Sequence, residues 1–79
     1  MEVRFFAGAA EAAGTDAVEV DATGLTADEV VARLADGNER LAKVLEVSAL
    51  LADGARVGDR TTDLSEVQSL DVLPPFAGG

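Results

Sequence analysis

Alternating apolar residues at both ends of the chain, a helix with a complete start signal between them, and an Asp-Gly turn toward the C-terminal third predict an α+β domain. The economical architecture is a mixed sheet packed on one main helix. At 79 residues and 48% hydrophobic, the chain suits one small domain and is too apolar for a disordered polymer. A core of that size is modest and leans on a staple or a partner. Cys and His are both absent, so neither a disulfide nor a structural zinc is expected, and metal ligation has no strong candidate. The same gaps exclude Cys–His and Ser–His–Asp nucleophiles.

The elements follow in order. From Met1 to Ala7 the residues Val3, Phe5 and Ala7 share one strand face, with Arg4 and Phe6 on the other. The alanine-rich stretch Gly8–Ala13 predicts a short helix, stopped by Gly14. Thr15 to Asp21 alternates again through Val18 and Val20, so the chain opens with an antiparallel pair. Thr26-Ala27-Asp28-Glu29 is a capping box, with Leu25 and Val30 spaced as a hydrophobic staple. Asp28 and Glu29 also sit where the helix dipole favours negative charge, and Gly37 is a stop. Asn38 predicts a second, shorter helix with Leu41, Val44 and Leu45 on one side. A strand over Val47–Ala52, the Asp53-Gly54 turn and a return over Ala55–Val57 form a hairpin. Residues 58–69 are polar and irregular, with one helical turn expected near Leu64–Val67. Leu70–Leu73 is the last strand, which Pro74 and Pro75 end because neither has an N–H to donate.

Charge narrows the partners. There are 15 Asp and Glu against 6 Lys and Arg, a net charge of -9, and the basic residues are scattered. A phosphate backbone and an anionic membrane surface are disfavoured, which leaves no nucleic acid and no membrane among the expected partners. A basic protein surface is the natural complement, although acidity also serves solubility or reflects a salty cytoplasm. The first residues lack a basic leader and no apolar run spans a membrane, so a cytoplasmic protein is expected. No nucleotide-binding glycine pattern occurs, and the carboxylates form no constellation of their own.

The chain closes on Leu73-Pro74-Pro75-Phe76-Ala77-Gly78-Gly79. Two prolines extend the chain, Phe76 offers one apolar anchor, and two glycines without Cβ atoms fit a narrow channel. A terminal Gly79 carboxylate is ionised and sterically open, able to attack the α-phosphate of ATP held by another protein. A frayed end is the plain alternative.

That ending resembles the ubiquitin-like sulfur carriers of the MoaD/ThiS family, and within it the branch of the molybdopterin synthase small subunit. Val3-Arg4-Phe5-Phe6-Ala7, Glu11 and Gly14-Thr15 are similar to that branch's opening, so the resemblance spans the chain. It implies a ubiquitin-like β-grasp domain over residues 1–73 and an extended flexible Gly-Gly tail over 74–79. It implies that an E1-like adenylyltransferase activates Gly79 with ATP, that a sulfurtransferase supplies sulfur, and that the resulting thiocarboxylate serves the molybdopterin synthase large subunit. It implies too that the chain itself binds no cofactor and has no active site of its own. Gly78 and Ala77 would line the partner's channel, while Phe76, Pro75 and Pro74 set the tail's path and Phe6 is a partner contact. Three positions depart from the family pattern: Ala10 replaces a frequent Arg, Asp53 replaces Asn in the hairpin, and Gln68-Ser69-Leu70-Asp71 replaces a tight turn. Open alternatives are a thiamine-branch carrier, a protein modifier joined to lysines, and a β-grasp interaction module that docks through its acidic face and Phe6.

Overall fold

The structure, a computed structural model, describes residues 1–75; the tail positions Phe76, Ala77, Gly78 and Gly79 lie outside the described residues. Eight elements follow one another in the expected order. They are β1 (Glu2–Phe5), α1 (Gly8–Ala13), β2 (Ala17–Glu19), α2 (Ala27–Ala35), α3 (Glu39–Val47), β3 (Ala49–Ala52), β4 (Ala55–Arg56) and β5 (Ser69–Leu73). The sheet runs β2-β1-β5-β3-β4. Its central pair β1/β5 is parallel and the other pairs are antiparallel, which makes the sheet mixed.

Period-two alternation sorts the side chains. Val3 and Phe5 of β1, Leu50 of β3, and Leu70 and Val72 of β5 all point into the core, each at most 4% exposed. The helices close over them with Val30 of α2 and with Leu41 and Leu45 of α3. The covering layer is thus shared: α2 and α3 have nine residues each, so the helix begun at Asn38 is as long as the one begun at Thr26.

Side chains fix where these helices start and stop. Thr26 Oγ1 accepts from the Glu29 N–H, and the Glu29 carboxylate accepts from the Thr26 N–H at 3.0 Å, completing the capping box. Asn38 accepts from the Leu41 N–H at 3.0 Å and donates its amide to the Ala12 carbonyl at 2.8 Å, joining the start of α3 to the end of α1. At the other end of α3 the Arg60 guanidinium donates to the Leu45 and Ser48 carbonyls, at 3.0 and 2.8 Å. A cation there also complements the helix dipole. Extension of α3 through Val47 delays β3, which begins at Ala49 rather than at the expected Val47.

Two further differences have local causes. β1 ends at Phe5 because Ala7 turns to φ 49° as it enters α1, so Ala7 is exposed and leaves the core face that alternation predicts. The turn expected near Leu64–Val67 is a single Val67 N–H to Leu64 carbonyl bond and not a helix. Residues 58–68 instead lie along the start of α2. There the Thr62 and Arg60 carbonyls accept the otherwise unpaired N–H groups of Ala27 and Asp28, at 2.9 and 2.8 Å. Leu64, fully buried, anchors the segment.

The hairpin turn has φ of 48° at Asp53 and 85° at Gly54, both in the left-handed region that a two-residue turn of this hand requires. Asp53 also reaches beyond its own turn. Its carboxylate accepts from the N–H groups of Gln68 and Ser69, at 3.1 and 2.9 Å, and pins the start of β5.

Candidate functional site

The parallel register of β1 with β5 builds the functional end of the domain. Phe5 stands opposite Val72, and the Phe6 N–H donates to the Val72 carbonyl at 3.2 Å, carrying the ladder one step further. Phe6 and Ala7 therefore flank the point where β5 gives way to Pro74 and Pro75. Pro74 is buried and Pro75 exposed, so the edge of the packed domain falls between the two prolines.

Phe6 is 40% exposed, one of two large apolar side chains left open among the described residues. Beside it lies an open depression of about 430 Å³ lined by Arg4, Phe5, Phe6, Ala7, Ala10, Asp16 and Ala17. Ala10 matters to its shape: a longer side chain there, such as the Arg frequent in the resembling family, would project into this space.

The sheet face that carries Phe6 looks away from the helices. Register places Ala17, Arg4, Asp71, Leu51 and Arg56 in one row across it. Arg4 clamps Asp71 with two hydrogen bonds, Nε to Oδ1 at 2.7 Å and Nη2 to Oδ2 at 3.0 Å. This bond, and then the charge of Asp71, holds the Arg4 guanidinium above its ordinary value. The pair cancels its own charge, leaving half-buried Ala49, Leu51 and Leu73 with Phe6 as a weakly charged apolar surface at the chain exit.

A second depression of about 360 Å³ is lined by Asp63, Ser65 and Glu66. Asp21 and Asp59 are held below the usual carboxylate range, chiefly by the backbone N–H groups of Thr23 and Thr61. Asp63 is lowered by Ser65, through its hydroxyl first and then through its backbone N–H. Among the described residues no cluster of three or more metal-ligating side chains occurs, and no helix is long and apolar enough to cross a membrane.

Of the residues singled out in the sequence, the structure brings Phe6, Pro74 and Pro75 to one end of the sheet. Phe76, Ala77, Gly78 and Gly79 are outside the described residues. Sequence reasoning missed the Arg4–Asp71 clamp. Its signal was there, since Arg4 lies between Val3 and Phe5 as Asp71 lies between Leu70 and Val72. Only knowledge that the two ends of the chain pair in parallel turns that likeness into a contact.

A mixed five-stranded sheet under helices, with its last strand running out at one end into a Gly-Gly sequence, defines a ubiquitin-like β-grasp protein. The model of the ThiS family matches residues 3–79, and the chain belongs to that family of ubiquitin-like sulfur carriers and protein modifiers. Two solved structures from Haloferax volcanii are similar over its whole length. SAMP1 superposes with a TM-score of 0.75 at 25% identity, covering 100% of this chain and 98% of that one. The HVO 2177 protein superposes with a TM-score of 0.73 at 27% identity, covering 99% of this chain and 84% of that one. No curated protein sequence matches the chain.

Proposed function

We propose that the chain is a cytoplasmic sulfur carrier that works through Gly79, as the small subunit of molybdopterin synthase. The observation that carries this reading is the family match, which runs without interruption into the two terminal glycines. A Gly79 carboxylate oxygen attacks the α-phosphorus of ATP on an E1-like enzyme, and pyrophosphate leaves. Hydrosulfide supplied by a sulfurtransferase then attacks the acyl carbon, the carbon–oxygen bond to the phosphate breaks with AMP leaving, and loss of the S–H proton gives a thiocarboxylate. Inserted into the large subunit, that sulfur passes to a pterin precursor.

The domain's own part is positioning. Pro74, fixed at the sheet end, sets where the tail begins, and Phe6 with its neighbouring depression gives a partner an apolar hold within reach of it. Phe76 adds a second apolar contact, and Ala77, Gly78 and Gly79 enter the partner's channel because they offer nothing to clash.

Likeness to the two archaeal proteins favours a second reading, in which the same acyl adenylate is joined to a lysine of another protein. An intact-mass experiment tests both. The protein is incubated in host extract with ATP and a sulfur source and then treated with a thiol alkylator. With no Cys in the chain, an adduct mapping to the terminal peptide identifies the thiocarboxylate. Adding large subunit and pterin precursor distinguishes sulfur transfer, which consumes the adduct, from ligation, which yields lysine conjugates. Absence of any adduct, while a related carrier labels in the same extract, overturns the carrier reading.

A further inference from the structure

Lysine is almost missing from this protein. Of its six basic residues five are arginines, and Lys43 is the single lysine. Three of the arginines are put to structural use: Arg4 clamps Asp71, Arg40 pairs with Glu11 at 3.7 Å, and Arg60 closes the end of α3. Lys43 stands apart, exposed on the solvent side of α3, and no carboxylate of the described residues lies within 4.0 Å of its ammonium. The Met1 amine is committed elsewhere, donating to the Val20 carbonyl at 2.9 Å and facing Glu19 at 3.5 Å. For a chain whose own terminus becomes an acyl donor, every free amine on its surface is an acceptor, and here one is on offer.

The surroundings of Lys43 fit the donor. Val47 is 54% exposed, more than any other large apolar side chain of the described residues, and follows Lys43 by one helical turn on the same face of α3. In the tail, Phe76 precedes Gly79 by three residues, about 10 Å when drawn out. One turn of helix, about 5 Å, together with the reach of a lysine stem covers a similar distance. A tail delivering its Gly79 carbonyl to Lys43 can thus lay Phe76 on Val47, and its six residues carry no side-chain charge to be repelled by Glu39 and Glu46 nearby.

We propose that Lys43 is an acceptor site for the activated C-terminus of a second copy of this chain, so that chains of this protein have a single linkage. The inference rests on the activated Gly79 of the preceding section and takes the ligation branch of that reading. The Lys43 amine, as its free base, attacks the Gly79 acyl carbon of the adenylate. A C–N bond forms, the bond from carbon to the phosphate oxygen breaks with its electrons leaving on AMP, and the nitrogen gives its proton to water.

The test mixes tagged and untagged full-length chains in host extract with ATP, and follows the terminal thiocarboxylate in parallel. Expected are tagged–untagged conjugates in which trypsin leaves the 61–79 peptide on Lys43, and their loss in K43R with the thiocarboxylate retained. Val47→Ser should weaken conjugation without affecting activation. Conjugates that persist in K43R, or none formed although the thiocarboxylate is, overturn the Lys43 site alone. With neither adenylate nor thiocarboxylate formed, the activated terminus and the Lys43 site both fall. A milder probe, an N-hydroxysuccinimide acetate added to the folded protein, should acylate Lys43 while the Met1 amine is protected; comparable labelling of both overturns the claim of one free amine.

Discussion

The two faces of the sheet are made by the same strands and are built to opposite standards. Toward the helices the alternate side chains of β1 and β5 are sealed, with Val3, Leu70 and Val72 all at 0% exposure. Toward solvent, one residue along, the same strands present an Arg–Asp clamp and a half-open apolar surface ending in Phe6. Packing must be complete on the first face, because a domain of this size has little stability to spare. The second face is released from packing and is free to meet a partner. Changes on the sealed face should therefore act through folding, and changes on the open face and tail through recognition.

Removing Gly79 is the sharpest break between the two. Thiocarboxylate formation should vanish completely while the thermal unfolding midpoint stays at its wild-type value; activity in the truncated chain would mean that a plain interaction module is the better description. Next in size is Leu70→Ala, which empties a fully buried site beside β1 and β3. It should cost about 2–5 kcal/mol in urea unfolding, enough to depopulate the folded state. Phe6→Ala, on the open face, should leave stability within about 1 kcal/mol and raise the KM for the activating enzyme. If Phe6→Ala instead unfolds the protein, the open face is part of the core and the contrast fails.

Smaller effects sharpen the picture. A double-mutant cycle of Arg4→Ala with Asp71→Ala should give a coupling of about 0.2–1 kcal/mol, since the pair is partly exposed and salt screens it. The carboxyls of Asp21, Asp59 and Asp63 are held below the ordinary 3.8, so the folded chain binds these protons less readily than the unfolded one. The stability they add is complete above that value and drains away as pH falls through their lower folded values. The unfolding midpoint should thus fall below about pH 4, and less steeply when all three are changed to Asn, whose amide oxygen still accepts the bond but does not titrate.

Much of this molecule was legible because its local signals are unusually complete. The capping box at Thr26, the Asn38 cap and the Asp53-Gly54 turn act within four residues, and each appears where the sequence places it. Element lengths were less legible. Whether α3 stops early or runs to Val47 is decided by Arg60, twelve residues from Ser48 in sequence, donating to its last carbonyls. The candidate site divides in the same way. The Gly-Gly ending is visible on inspection, whereas the hold beside it depends on β1 and β5 meeting at opposite ends of the chain.

From the sequence by itself came the α+β class, the capped helices, the turn, the alternation that selects the core, and the tail with its open carboxylate. These rest on propensities and short-range bonds that a few neighbouring residues settle. Tertiary structure alone decided that β1 lies parallel to β5, that Arg4 meets Asp71, that Phe6 bonds to Val72 two residues before Pro74, and that Asp53 pins the start of β5. Each of these contacts joins residues well beyond a local turn, and those between β1 and β5 exist only once the helices between the two strands have been folded over the shared apolar face.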